Sequence, residues 1–287
     1  IWYNGEIVEW QNATTHVLNH GLHYGSCVFE GLRVYASNIY KLELHTDRLF
    51  HSANRMGMDV PYTKNVLNEA QEHIIKKMNI SYGYIRPVIW RGSEMMAISA
   101  QKNQINVAVA TWEWPSYFSP EDRLKGISLQ TAEWRRPPAN TIPTDAKAAG
   151  LYMICTLSKH KAEKDGFTDA LMLDYEGKVC ESTGSNIFFV FNGELHTPLP
   201  HCFLNGITRQ TAISIARSKN IKVLERDIYP DEIKNADEIF LTGSAVEINP
   251  VRKIDDMEFK VGEITKMISN LYLSEVDENF KTDEKSI

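Results

Sequence analysis

The sequence is poor in cysteine, and its four cysteines, Cys27, Cys155, Cys180 and Cys202, are scattered with no C-x-x-C pair. That spacing excludes a disulfide framework and a cysteine-ligated zinc site, and it fits a reducing cytoplasm. No apolar run approaches the roughly 18 residues that a membrane-spanning helix needs, so no membrane partner is expected. Positive charge is also short: Lys and Arg total 31 against 37 Asp and Glu, a net charge of −6. With no basic stripe, nucleic acid is not an expected partner. The nucleotide cradles G-x-x-x-x-G-K-[ST] and G-x-G-x-x-G are missing. His20, His23, His45 and His51 show no metal-like clustering, and no metal site is expected. Ser182, Ser185 and Ser244 stand outside any nucleophile elbow, which argues against hydrolase chemistry. There is no internal repeat or low-complexity tract, and the first residues show no charged-then-apolar leader.

What is present is an ordinary globular composition, 43% hydrophobic and 24% charged, at a length that suggests about two domains. "IWYNGEIVEW" is two apolar runs around Asn4-Gly5, a strong hairpin signal. "CVFEGLRVYASNIYKLEL" repeats the pattern with a turn near Ser37-Asn38. "HTDRLFHSANRMGM" places Leu49, Ala53 and Met56 at helical spacing with Thr46 as its N-cap, and "NVLNEAQEHIIKKM" is a second amphipathic helix. "YIRPVIW", "INVAVATW" and "GISLQTAEW" read as strands, and "LYMICTLSKHKAEKDG" as a helix ended by Gly166. "DALMLDYEGKVCES" and "NIFFVFNGELHTP" are hairpins around Glu176-Gly177 and Asn192-Gly193. "TRQTAISIARSKN" is a helix, "IKVLERDI" a strand, and "DEIFLTGSAVEINPV" a strand entering a Gly-Ser turn. Only "DENFKTDEKSI" looks frayed. The expected class is α+β with predominantly antiparallel pairing. "WPSYFSPED" breaks the periodicity and divides the chain into residues 1–113, an interdomain linker over 114–123, and residues 124–287. Its aromatics either pack a domain seam or line a pocket.

Lys147, in "NTIPTDAKAAGLYM", is bracketed by Ala146, Ala148, Ala149 and Gly150, an unusual setting for a lysine. It is either a solvated loop lysine or a desolvated amine of lowered pKa suited to a Schiff base. Three stretches could hold an anion. In "LNGITRQTA", Gly206, Ile207 and Thr208 open a helix, where free N–H groups bind phosphate, unless Thr208 simply caps it. "LTGSAVE" offers a small-residue turn from Thr242 to Ala245. Arg48 is expected near the N-terminal end of its helix, where a cation suits only a nearby anion. Glu181, in "VCESTGSN", is either a surface carboxylate or the partner of a buried cation. Tyr84 and Arg86 fall on one strand face and could form a carboxylate trap. Together these groups suit a ligand with a phosphate, an aldehyde-reactive centre and a basic nitrogen, which describes pyridoxal phosphate.

In these motifs, kept in order from "LNHGLHYGSCVFEGLRVY" to "LTGSAVEINPV", the sequence resembles the branched-chain-amino-acid aminotransferases of the class IV, fold-type IV pyridoxal-phosphate enzymes. The resemblance implies a small α/β N-terminal domain. It also implies a larger C-terminal, cofactor-binding domain with a mainly antiparallel, barrel-like core, the two joined by an aromatic linker. It implies transamination between L-leucine, L-isoleucine or L-valine and 2-oxoglutarate through a Schiff base on Lys147. Glu181 matches the carboxylate on the pyridine nitrogen, and Tyr152 the tyrosine at the phenolic oxygen. Arg48, Ile207, Thr208 and Ser244 match the phosphate cup. The N–H groups of Ser244 and Ala245, with Tyr84, match the α-carboxylate site. Arg86 and Tyr24 match the receptor of glutamate's distal carboxylate, and Phe29, Trp114 and Tyr117 the apolar pocket. A cytoplasmic homodimer or hexamer is the implied assembly. The run from Glu181 to Asn186 departs from the branched-chain pattern towards D-amino-acid aminotransferases, and Ser244 replaces a commoner Thr. D-amino-acid aminotransferase, (R)-selective amine aminotransferase and aminodeoxychorismate lyase are the alternatives on the same scaffold.

Overall fold

The computed structural model describes residues 1–114, 125–277 and Asn279. Apart from Trp114, the expected linker lies outside the described residues, and so does Tyr117. The segment read as frayed also lies outside them, except Asp277 and Asn279. Contacts divide the chain into two compact units, Ile1–Ser116 with Ala146–Tyr152, and Tyr117–Asp145 with Met153–Ile287.

The first unit holds β1 (Trp2–Tyr3), β2 (Glu6–Ile7), α1 (His20–Tyr24), β3 (Cys27–Phe29), β4 (Leu32–Tyr35), β5 (Asn38–Ile39), α2 (Leu42–Arg55), α3 (Lys64–Met78), β6 (Gly83–Arg91) and β7 (Ile105–Glu113). The strands form a seven-stranded sheet in the order β2-β1-β7-β6-β4-β5, with β3 also paired to β6. The Asn4-Gly5 turn has φ of 47° and 100°, the positive values that a two-residue hairpin demands. Residues of β6 alternate: Ile85 and Ile89 are fully buried, whereas Tyr84, Arg86, Val88 and Trp90 share the opposite face. Pro87, which cannot donate to a ladder, stands where the neighbouring strand breaks between β3 and β4 at Glu30-Gly31. There Glu30 N donates to Pro87 O at 2.9 Å. In α2 the buried set Leu42, His45, Thr46, Leu49, Ser52 and Ala53 forms one face.

The second unit holds β8 (Ile127–Arg136), α4 (Tyr152–Lys164, which begins on the last residue of the first unit), β9 (Asp169–Asp174), β10 (Val179–Ser182), β11 (Asn186–Phe191) and β12 (Glu194–Thr197). After these come α5 (Ile207–Ser218), β13 (Val223–Glu225), β14 (Glu238–Gly243), β15 (Glu247–Ile254), β16 (Met257–Glu258) and α6 (Glu263–Val276). The order β10-β9-β8-β15-β14-β11 is closed by pairing of β11 with β10, which makes a six-stranded barrel. Strand β8 runs parallel to β9 and β15, and the remaining ring pairings are antiparallel. Ile187, Phe189, Ile239, Leu241, Leu129 and Val251 build one apolar cluster. The alternating residues Phe188 and Phe240 turn to the other face, where their rings stack at 5.0 Å and 5°. Glu238 closes the start of α6, accepting from Ile264 N at 3.2 Å and Thr265 N at 2.7 Å.

Four local expectations change. Thr46 does not cap α2: the helix starts four residues earlier, after Lys41, so Thr46 is buried within it. For the same reason Arg48 sits mid-helix. The turn after β4 is Ala36-Ser37, both at positive φ, instead of Ser37-Asn38. In "IKVLERDI" only Val223–Glu225 is strand, because β13 pairs with β12 alone. Replacing Phe188 by Ala removes one of two stacked rings and should cost about 3–5 kcal/mol of stability, read from urea unfolding midpoints.

Candidate active site

Lys147 is held by its own backbone. Its N–H donates to Ser52 Oγ of α2 at 2.9 Å, and its carbonyl accepts from Phe29 N of β3 at 3.1 Å. Ala148 bridges to Val28. Ala146 and Ala148 are each 1% exposed, so their small size lets this stretch lie against β3 and α2. A side chain at Gly150 would meet nothing within 4 Å, but Gly25 brings its backbone close to Gly150. The half-buried Lys147 amine donates to the Tyr152 hydroxyl at 2.7 Å and lies 4.9 Å from the centre of the Phe29 ring.

Burial is the largest influence on the Lys147 amine and works against its charge, while the Tyr152 oxygen, which also accepts its hydrogen bond, works for it. Arg48 opposes the rise and Glu30 adds to it, and the amine ends above the ordinary lysine range. Of the two alternatives for Lys147, a lowered amine does not fit: Tyr152 and Glu30 together carry the direction upward despite burial.

Arg86 also meets Phe29, its guanidinium carbon 4.8 Å from the ring centre and 5.3 Å from that of Tyr84. Its Nη2 donates to Tyr84 Oη at 3.3 Å. Among the described residues Arg86 Nε is buried with no hydrogen-bond partner, a donor that favours an acceptor brought by a ligand. Trp112 and Trp114 pack on Tyr84, each at 5.2 Å. A cavity of about 440 Å³ is lined by Cys27, Arg86, Val88, Trp90, Ala108 and Ala110, among others. Tyr24 stacks on His20 at 4.6 Å and makes no hydrogen bond to Arg86 among the described residues.

The signal missed in the sequence was a charge in an apolar strand run, Glu30 in "VFEGLRVY". Glu30 is fully buried and binds Arg48 through two bonds, Nε to Oε1 at 2.6 Å and Nη2 to Oε2 at 2.9 Å. His45 Nδ1 donates to Oε2 at 2.7 Å. Burial alone would raise the Glu30 pKa, but Arg48 and then His45 hold it far below the carboxylate range. Gly31 was missed as well: a Cβ there would fall 1.7 Å from Tyr84 Oη.

In the second unit Glu181 is buried, 8% exposed, so the surface alternative does not hold. Strand register sets Glu181 opposite Asn186, and Asn186 opposite Thr242, in one row across β10, β11 and β14. Arg136 Nε lies 3.4 Å from Glu181 Oε1. Asn186 Nδ2 lies 3.4 Å from Glu181 Oε2 and donates to Leu204 O at 3.0 Å, while its Oδ1 accepts from Gly206 N at 3.2 Å. The amide therefore ties the acid to the mouth of α5. Gly206, not Thr208, is the N-cap of α5, and no side chain caps it. This answers the capping alternative and leaves the first-turn N–H groups at Ile207 and Thr208 without an intrahelical partner. Thr242 Oγ1 is buried without a partner among the described residues, and Ser244 and Ala245 form the half-buried turn that follows β14. Arg209, 1% exposed, braces the mouth through Asn205, Pro198 and Glu225.

Cys155 is pushed up to about 11, first by burial and then by Glu181, and Cys27 to about 11 by burial. Neither suits a nucleophile. Among the described residues no His, Cys, Asp and Glu cluster could hold a metal. The chemistry on offer is an amine beside a phenol, a guanidinium for a carboxylate, a held acid, and an open helix start.

Known proteins resemble this chain over most of its length. The sequence model of the family described as amino-transferase class IV matches residues 27–254. The branched-chain-amino-acid aminotransferase of Pseudomonas aeruginosa is 40% identical over 279 residues, 95% of this chain and 91% of that protein. The crystal structure of the T.th. branched-chain amino acid aminotransferase with pyridoxamine 5'-phosphate matches with a TM-score of 0.93 at 36% identity. It covers 96% of this chain and 93% of that one. The same T.th. enzyme complexed with N-(5'-phosphopyridoxyl)-L-glutamate gives 0.92 at 36% identity and the same coverage.

Because Tyr152 holds the Lys147 amine high, Tyr152→Phe should shift the pH midpoint for acylation of Lys147 downward. Peptide mapping of a reagent-labelled pH series reads the shift.

Proposed function

Because the chain belongs to the class IV amino-transferases, we propose that it is a pyridoxal-phosphate-dependent branched-chain-amino-acid transaminase. It moves the amino group between L-leucine, L-isoleucine or L-valine and 2-oxoglutarate. The observation that carries this reading is one aromatic ring, Phe29, with the Lys147 amine against it at 4.9 Å and the Arg86 guanidinium at 4.8 Å. A reactive amine and a carboxylate receptor thereby share one apolar wall.

The residues fit the cofactor. The unpartnered Thr242 hydroxyl and the uncapped start of α5 suit an anion, and the Glu181 carboxylate suits a protonated ring nitrogen. When bound, pyridoxal 5'-phosphate supplies an electron sink for the pair left at Cα when its proton departs. Lys147 takes that proton and returns it, so its amine must cycle between charged and neutral forms. Tyr152 holds the amine in place, and its hydroxyl would face the phenolic oxygen of a bound cofactor. Arg48, the Ile207 and Thr208 N–H groups and Ser244 bind phosphate, and Arg136 supports Glu181. Tyr84 with the Ser244 and Ala245 N–H groups takes the α-carboxylate.

Arg86 explains how one pocket accepts two kinds of side chain. Against a leucine side chain its guanidinium rests on Phe29 and Tyr84, where aromatic faces stabilise a cation. Against glutamate it turns its free Nε and its Nη groups to the distal carboxylate. Tyr24 and Trp114 would complete this substrate end, and the family resemblance assigns Tyr117 to it as well. Exposed Trp10 (79%), Leu22 (68%) and Ile98 (81%) in the first unit support a homodimer, or a hexamer built from it. The free cysteines suit a cytoplasmic setting. No described helix is long and apolar enough to cross a membrane.

A donor panel with 2-oxoglutarate should show turnover of L-leucine, L-isoleucine and L-valine and little of D-alanine; the reverse order would sink the branched-chain assignment. Lys147→Ala should retain cofactor docking but lose roughly 10,000-fold in rate, and borohydride should label Lys147 in the wild type and nothing in the variant. Arg86→Ala should raise KM for glutamate roughly 10- to 100-fold while leaving KM for leucine within a few-fold, as expected for the loss of charge-assisted hydrogen bonds.

A further inference from the structure

The Glu30 carboxylate bonds to Arg48, His45 and the Gly31 N–H, none of which is assigned above to substrate. The carboxylate is 0% exposed, a placement that is costly unless every lone pair is used. They are used. Oε1 takes Arg48 Nε, and Oε2 takes Arg48 Nη2, His45 Nδ1 and the Gly31 N–H at 3.2 Å. Because a carboxylate only accepts, His45 carries its proton on Nδ1. The two parallel bonds occupy one edge of the guanidinium and leave Nη1 outside the fork. The same acid sits next to Phe29, whose N–H holds the Lys147 carbonyl, and α2 supplies Arg48, His45 and the Ser52 hydroxyl that holds Lys147 N. Arg48, Glu30 and Lys147 thus belong to one hydrogen-bonded assembly.

We propose that Glu30 is a positioning residue for cofactor binding: it fixes Arg48 so that Nη1 meets the phosphate, and it offsets the Arg48 charge felt by Lys147. The inference rests on the reading that Arg48 binds the cofactor's phosphate. Its electrostatic side follows from the groups that face each other here. Lys147 feels Tyr152, Arg48 and Glu30; Arg48 feels Glu30, Tyr152 and Tyr84; Glu30 feels Arg48 and His45. Burial keeps His45 below the ordinary imidazole range although Glu30 opposes this, so it donates as a neutral ring. Removing the Glu30 charge leaves the Arg48 cation uncompensated, and the Lys147 pKa moves down.

The test compares equilibrium binding of pyridoxal 5'-phosphate and of pyridoxal to apoenzyme, in wild type and Glu30→Gln. Pyridoxal 5'-phosphate affinity should fall roughly 10- to 100-fold, the usual effect of losing a partner behind a ligand-holding side chain, while pyridoxal affinity stays within about threefold. The pH midpoint of the bound cofactor's visible absorbance should move down. Equal loss for both ligands, or no loss for either, overturns the proposal, and so does an unmoved midpoint. If Glu30→Gln does not fold, Glu30→Asp replaces it: the charge remains but the fork is broken. It should weaken pyridoxal 5'-phosphate selectively with an unchanged midpoint, and equal weakening of both ligands overturns the proposal. A wild-type protein that forms no borohydride-stable label on Lys147 would instead defeat the cofactor reading itself.

Discussion

Two backbone hydrogen bonds set the position of the reactive amine. The Ser52 hydroxyl holds Lys147 N and the Phe29 N–H holds Lys147 O, so the side chain leaves from a point fixed on both sides. Without them Lys147 would be a loop lysine with four free torsions, and its amine would spend its time in water. With them, and with the Tyr152 hydroxyl at 2.7 Å, the amine is held against Phe29. The Ala residues on either side are small because the stretch lies flat against β3 and α2. Pre-set geometry of this kind is what converts a weak nucleophile into a useful one.

The second recurring constraint is that the buried carboxylates Glu30 and Glu181, and the buried Arg209, each face a group that can carry the opposite charge. Glu30 faces Arg48 and His45, Glu181 faces Arg136, and Arg209 faces Glu225. Each pairing is weak as a stabiliser, because desolvation consumes most of the attraction. Its effect is orientation: a bidentate or multiply bonded group has one available direction. The barrel serves the same end in the second unit, where antiparallel register lines up Glu181, Asn186 and Thr242 without help from any loop. Asn186 then carries that order to Gly206, whose Cα hydrogen faces the amide oxygen so closely that a Cβ would lie 2.2 Å from it.

Much of this was legible in the chain. Asn-Gly turns, two-residue alternation and the 3.6-residue helix period located most elements, since these depend on neighbours in sequence. Lys147 stood out because small residues flank it, and Arg86 and Tyr84 because residues two apart share a strand face. Helix starts were less legible: Thr46 had the chemistry of a cap, but burial of Leu42 and His45 extended α2 past it. Thr208 likewise had a capping hydroxyl, yet Gly206 took the position. Glu30 went unnoticed because a lone Glu in an apolar run has no partner until α2 folds beside it, and Arg136 gave no sign for the same reason.

By itself, then, the sequence determined the α+β class, the order of hairpins and helices, the family, and the identity of the amine, the carboxylates and the guanidinium groups. Those are properties of local pattern and of residue type. Only the tertiary structure decided which of them meet. It made Glu30 the partner of Arg48, brought Lys147 and Arg86 to the same Phe29 ring, and set the direction of the Lys147 pKa. Proton affinity and orientation depend on charges and hydrogen bonds between residues far apart in sequence, and those distances exist only once the chain has folded.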